Sequence, residues 1–271
     1  MTKPRVLILI ASGTNRDRDA AVAIEMAGGA AEVVHINQLR SRERRLDDYQ
    51  MLLLPGGFSY GDDLGAGRIL ATDLLYSLGG RIRAGEVTRQ LGDDVGRFAE
   101  SGKPVMGICN GFQALVKAGF LPGPTGQQRA TLATNASNHF ECRWVYLKVD
   151  HESSCLFTKG IESLLYCPVA HGEGRLVPES DSVLLSLQQG RQLPVTYVDE
   201  RGQPKGYPAN PNGSVANIAG VCNKAGNIFG LMPHPEDHIF LQQHPRWSRG
   251  ETGGCSLPVF ANAVRYAARS F

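Results

Sequence analysis

Residues 103–119, KPVMGICNGFQALVKAG, decide the fold. An apolar run from Val105 to Ile108 has the length of a buried strand, and Cys109 ends it. A helix-like segment, NGFQALVKAG at 110–119, follows at once. Gly107 stands two places before the cysteine and Gly111 two places after. A strand that turns directly into a helix is the unit of a doubly wound α/β sheet.

The flanking sequence repeats that unit. RVLILIA, 5–11, is an apolar run between Pro4 and Ser12-Gly13, and reads as a strand buried on both faces. TNRDRDAAVAIEMAGG, 14–29, carries Ala20, Ala21, Ile24 and Ala27 at helical spacing and stops at Gly28-Gly29. AEVVHI, 31–36, and YQMLLLPGG, 49–57, read as the next strands, and a helical segment around 89–101 precedes the strand at 104–109. Strands alternating with helices at this spacing indicate a parallel sheet. After about residue 125 the pattern becomes richer in strands, with a hairpin expected at CNKAGNIFG and its tip at Lys224 to Gly226. The final PVFANAVRYAARS has Val259, Phe260, Ala263, Val264 and Ala267 on one helical face. One domain over 1–271 is expected, with a more β-rich second half.

Bulk composition narrows the function classes. With 271 residues the chain can bury a sizeable core, and 42% hydrophobic with 20% charged residues is an ordinary globular composition. A net charge of +2 gives no general pull toward nucleic acid or a membrane surface. The basic run LRSRERR, 39–45, is offset by Asp47 and Asp48, and reads as a solvated connection or a docking surface. Six cysteines are dispersed, with no CxxC pair and no zinc spacing. No signal peptide or membrane span is legible, so a reducing cytoplasm is expected.

In that setting a disulfide does not account for Cys109. GxCxG between strand and helix is the pattern of a nucleophile elbow with Cys in place of Ser. Glycines give such a turn the room it needs, and a helix N-terminus favours thiolate. The Asn110 amide is free to face a developing oxyanion. The local pattern equally fits a buried structural cysteine beside a tight turn. A thiolate nucleophile needs a base and an orienting acid. LMPHPEDH, 231–238, offers His234 between two prolines, with Glu236 two residues on; a plain surface histidine is the alternative. His238 and His244 lack that rigid frame. PGGFSYGDD, 55–63, places Gly56 and Gly57 after a strand, where the Gly57 amide is a second oxyanion donor unless the pair is only a turn. It is neither GxGxxG nor a Walker A loop.

Five segments together resemble the class I glutamine amidotransferases: PGGFSYGDDLGAG, GKPVMGICNGFQALVKAGFLPG, PVAHGEGR, NPNGSVANIAGV and GLMPHPEDH. GxCxGFQ and PHPE fit many members. GGFSYGD, VAHGEG and NPNGS point to the purine-biosynthetic branch. The resemblance spans nearly the whole chain and implies a flavodoxin-like, mostly parallel sheet with an added β-rich segment. It implies Cys109 as nucleophile, His234 as base, Glu236 as its partner, and Gly57 and Asn110 as oxyanion donors. Phe58, Gln113, His171 and Glu173 fall in segments that surround substrate glutamine.

The implied reaction releases ammonia from L-glutamine. A large synthetase subunit, with a small bridging subunit, would use it to convert formylglycinamide ribonucleotide to its amidine. ATP and Mg would sit on that synthetase; no cofactor or metal is expected in this chain. Neither nucleic acid nor membrane is an expected partner. Two features depart from the family: the first loop, ASGTNRDRD, lacks its Asn-Cys pair, and extra length falls near 75–94 and 237–256, which read as surface insertions. Another class I amidotransferase, a cysteine peptidase-like relative and a non-catalytic regulatory subunit are the alternatives. The last would be expected to lack Cys109, His234 or Glu236.

Overall fold

A computed structural model describes residues 3–76, 90–123 and 126–271. In chain order it contains β1 (Arg5–Ile10), α1 (Asp17–Met26), β2 (Ala30–His35), α2 (Ile36–Arg40), β3 (Met51–Leu54), α3 (Arg68–Tyr76), α4 (Leu91–Glu100), β4 (Val105–Ile108) and α5 (Asn110–Lys117). There follow β5 (Ala130–Ala133), β6 (Glu141–Val149), β7 (Leu165–His171), β8 (Arg175–Pro178), α6 (Asp181–Gln189), β9 (Val195–Val198), β10 (Ile218–Cys222), β11 (Ile228–Leu231) and α7 (Leu257–Ser270). Short 3-10 turns join several of them.

Nine strands form one sheet in the order β2-β1-β3-β4-β11-β10-β9-β6-β7, and β5 pairs with β8 separately. From β2 to β11 every pairing is parallel. That half has the flavodoxin order, with β11 in the fifth place. From β11 to β7 every pairing is antiparallel. The β-rich segment therefore extends the same sheet, and the chain returns from it to lay β11 against β4. The inner strands of the parallel half, β3, β4 and β11, carry no charged or polar side chain, because both of their faces are covered. Met51–Leu54, Val105–Ile108 and Ile228–Leu231 are buried at every position. α1 packs with α7, and α3 with α4 and α5.

The hairpin joining β10 to β11 closes through Asn223, whose amide donates to Ile228 O at 3.0 Å. In α7 the buried side chains are Val259, Phe260, Ala263, Val264 and Ala267, the five that the spacing selects. α6 lies in the half whose sequence reads as richer in strands, and no element is expected there. VLLSL looks like an apolar run, yet Val183 and Leu187, one turn apart, are the side chains it buries. The Ser180 hydroxyl accepts from the Val183 amide at 3.3 Å, and Gly190 follows the last turn.

Of the stretch 75–94, Leu75 and Tyr76 close α3, residues 77–89 lie outside the described residues, and Leu91 to Asp94 begin α4. Residues 237–256 run as 3-10 turns against β7; the Tyr166 amide donates to Gly254 O at 2.9 Å. The basic run is met by acids: Arg44 pairs with Glu32 at 2.8 Å, and Arg40 with Asp73. All six cysteines are free thiols. Among the described residues no helix is long and apolar enough to cross a membrane.

Candidate active site

Three neighbouring strands, β3, β4 and β11, end at one edge of the sheet. Leu54 lies opposite Gly107, and Leu231 opposite Ile108. The residues that follow therefore emerge side by side: Gly56-Gly57 after β3, Cys109 after β4, and His234 to Glu236 after β11. This is the carboxyl edge where open α/β sheets place their sites.

Cys109 occupies the β4–α5 turn with φ 49° and ψ −105°, a conformation costly for a residue with a side chain. Its amide donates to Leu231 O at 2.8 Å, so the turn is held by β11 itself. Space explains the flanking glycines. A Cβ at Gly111 would lie 2.0 Å from Leu54 O, and one at Gly107 would lie 2.7 Å from Leu115 Cδ1. The helix start is thus pressed onto the sheet. Among the described residues, neither the Asn110 nor the Gly57 amide donates to a backbone carbonyl. The Cys109 thiol lies 3.7 Å from Ala170 O and is 4% exposed.

His234 and Glu236 are both buried. The His234 amide donates to Pro168 O at 2.8 Å, which fixes the segment to β7. Nδ1 donates to Glu236 Oε1 at 2.7 Å. Nε2 has no hydrogen-bond partner among the described residues. Burial disfavours the charged ring, but the Glu236 carboxylate and the Cys109 sulfur outweigh it and hold His234 well above the ordinary histidine range. A Cβ at Gly56 would meet His234 Cε1 at 2.7 Å, so the glycine pair also makes room for the imidazole. The first loop does reach this rim. The Asn15 and Arg16 amides share Gly56 O, and the Arg16 guanidinium lies 3.3 Å from Asp237. Asp237 is pushed up to about 6 by burial and by the charge of Glu236.

A cavity of about 170 Å³ opens beside the thiol, lined among others by Gly57, Phe58, Cys109, Gln113, His171 and Glu173. It has room for a small molecule, and larger hollows elsewhere on the chain lie away from this edge. Phe58 is partly exposed and stacks on Phe140 with ring centroids 6.4 Å apart. Gln113 Nε2 donates to Glu173 O at 2.7 Å. The Glu173 carboxylate accepts from the Ala66 amide and from Lys117 Nζ, each at 3.3 Å.

His171 is a different kind of histidine from His234. Nδ1 donates to Asn135 Oδ1 at 3.2 Å and Nε2 faces the Asn212 amide group at 3.5 Å. Burial, and the nearby His234, lower it to about 3, so the ring is neutral. His238 and His244 sit apart, in a cluster with Trp144 and Tyr166; His238 Nδ1 donates to Tyr166 O at 2.5 Å.

All nine residues singled out in the sequence thus gather around one edge and one cavity. Sequence reasoning passed over Ser59, Asp62, Asn135, Asn212, Lys117 and Arg16. Ser59 and Asp62 lie inside the GGFSYGDD stretch, and Asn212 inside NPNGS, so their segments carried a signal. Lys117 lies inside GKPVMGICNGFQALVKAGFLPG, but its partners come from distant segments; Asn135 lies in no such segment and carried no signal.

Comparison with known proteins gives the family of the chain. Residues 3–267 match the family described as CobB/CobQ-like glutamine amidotransferase domain. The chain is similar to phosphoribosylformylglycinamidine synthase subunit PurQ of Dehalococcoides mccartyi, 48% identical over 98% of this chain and 99% of the relative. It is 41% identical to the subunit of the same name from Treponema denticola, over 97% of this chain and 99% of the relative. Among solved structures it is similar to a chain of PurLQS from Thermotoga maritima, with a TM-score of 0.72, 33% identity, and coverage of 98% of this chain and 99% of that one.

Proposed function

This chain belongs to the CobB/CobQ-like glutamine amidotransferase family, and on that premise we propose that it is the glutamine-hydrolysing subunit of phosphoribosylformylglycinamidine synthase, acting through Cys109, His234 and Glu236. The observation that carries the residue assignment is the junction of two features at one sheet edge. A buried thiol sits at a strained helix start, and beside it stands an imidazole bound to a carboxylate through Nδ1, close enough for the sulfur to favour the charged ring.

In the reaction, the Cys109 thiolate attacks the side-chain amide carbon of glutamine. The carbonyl oxygen takes up the negative charge, received by the amides of Gly57 and Asn110. His234 gives its Nε2 proton to the departing nitrogen as the carbon–nitrogen bond breaks, so ammonia leaves and a glutamyl thioester remains. Water then adds to the thioester and His234 takes its proton. Collapse of that intermediate breaks the carbon–sulfur bond, releases glutamate and restores the thiolate–imidazolium pair. Glu236 holds the ring by Nδ1 throughout and favours its charged form. Phe58, Gln113, His171 and Glu173 surround the bound glutamine.

Ammonia passes, shielded from water, to a large synthetase subunit assembled with a small bridging subunit. That synthetase holds ATP and Mg²⁺ and converts formylglycinamide ribonucleotide to its amidine. Residues 1–271 act as one amidotransferase domain in the cytoplasm, with 237–256 as a surface addition beside the site.

The test replaces Cys109 with Ala or Ser in the assembled complex. Glutamine-dependent synthesis is lost, while synthesis from added ammonium persists. Persistent glutamine-dependent turnover would overturn the assignment of Cys109.

A further inference from the structure

The loop from Gly57 to Gly67 is strained. Tyr60, Asp62 and Leu64, none of them glycine, have φ of 56°, 54° and 63°. Such backbone persists where its surroundings over-determine it. One buried side chain supplies much of that constraint, and it belongs to the residue directly after the thiol. Asn110 is 2% exposed, and its carboxamide makes four hydrogen bonds. Oδ1 accepts from the Ser59 amide at 3.1 Å and from the Ser59 hydroxyl at 2.5 Å. Nδ2 donates to Asp62 Oδ1 at 2.8 Å and to Gln113 Oε1 at 3.1 Å. These bonds use the full capacity of an amide side chain. Gln113 carries the chain onward to Glu173 O across the cavity.

We propose that the Asn110 side chain is a positioning residue that clamps the strained Gly57–Gly67 loop to the helix start, and so fixes the Gly57 amide against the Asn110 amide. The proposal rests on the amidotransferase reading of the site, in which those two amides receive the oxyanion. Ser59 is only two residues from Gly57, so a bond to its backbone amide anchors the loop two peptides beyond the donor. The four bonds tie one carboxamide to both sides of the place where charge develops. Distance between preorganised donors governs transition-state stabilisation far more than ground-state binding. The clamp therefore acts on turnover and leaves glutamine affinity nearly alone.

The test uses the assembled complex with Asn110→Ala, Ser59→Ala and the double variant. Two readouts are taken: glutaminase kcat and KM, and the rate at which iodoacetamide alkylates Cys109, which needs the thiolate but no oxyanion donors. Asn110→Ala should lower kcat about 100-fold, within the range of losing one oxyanion donor, with KM and the alkylation rate each changed by less than about threefold. Ser59→Ala keeps the amide bond to Oδ1 and should lose about threefold to tenfold in kcat. If the clamp acts through Ser59, the double variant should be no worse than Asn110→Ala, because coupled partners are not additive. Unchanged kcat in Asn110→Ala, alkylation falling in step with kcat, or strictly multiplicative effects of the two variants would each overturn the clamp. A Cys109→Ala complex that still used glutamine would instead overturn the underlying reading of the site.

Discussion

Glu236 Oε1 lies 2.7 Å from His234 Nδ1, both residues are buried, and the other ring nitrogen is left without a hydrogen bond among the described residues. A histidine held by one nitrogen has a defined tautomer when neutral and a stabilised charge when protonated. Pro233 and Pro235 fix the backbone on either side, and the Pro168 carbonyl fixes it from β7. The base is thereby rigid in an edge otherwise built of turns.

The first prediction removes only the charge of that pair. In Glu236→Gln an amide replaces the carboxylate that raises His234. His234 must be protonated to release ammonia, so activity on the alkaline side ends where the ring loses its proton. With the folded-state value lowered, that limb of the kcat/KM profile moves to lower pH. Turnover at neutral pH should fall about 100-fold or more, as in triads whose orienting acid is neutralised. A pH–rate profile of the variant complex checks it; an alkaline limb left in place would show that Glu236 does not govern the ring.

How the site became legible depends on where its residues come from. Cys109, with its glycines, and His234, with its prolines, each carry their constraint within a few residues, so short stretches announced them. The parallel half was readable for a similar reason. Strands buried on both faces are continuous apolar runs, and those of 5–11 and 105–108 could be little else. The network that supports the site was not readable. Lys117, Asn135 and Asn212 act on groups from distant segments, and even where the segment stands out, a polar residue in a sequence gives no sign of its partner. α6 was hidden by composition: VLLSL fits a strand as well as a helix, and only the Ser180 cap and the Val183–Leu187 pair separate the two.

A second prediction concerns the turn. Gly111→Ala places a carbon 2.0 Å from Leu54 O, a backbone atom of the central strand that cannot swing aside. Either α5 lifts off β3 or β3 shifts, and both disturb the core. The variant should lose about 3 kcal/mol or more of stability, at the severe end for a point change. Chemical denaturation measures it, and a loss under about 1 kcal/mol would mean the turn is looser than the 2.0 Å approach implies.

The third prediction tests the helix that closes the domain. Phe260 is wholly buried on the stripe of α7, whereas Arg265 on the same helix is exposed. Phe260→Ala should cost about 3–5 kcal/mol. Arg265→Ala should stay within about 0.5 kcal/mol of the parent. Equal effects from the two, measured by urea denaturation, would contradict the packing of α7 against the sheet.

The last prediction follows from the neutral histidine. His171 is lowered to about 3 in the folded chain by burial and by His234, from 6.5 in the ordinary state. Between those values the unfolded chain binds a proton that the folded chain refuses, so stability rises with pH across the window and falls as pH drops below 6.5. Taking the chain from pH 7 to 5 should therefore cost about 2 kcal/mol through this one group. His171→Asn cannot titrate and should show a shallower loss over the same interval, whatever its stability at pH 7. His234 does not mimic the effect. It is raised when folded, so its contribution is complete below the ordinary histidine value and is lost only as pH climbs above it. Comparing the slopes of unfolding free energy against pH for parent and variant isolates His171. Parallel slopes between pH 5 and 7 would mean that the ring beside Asn135 and Asn212 is protonated as readily in the folded chain as in water.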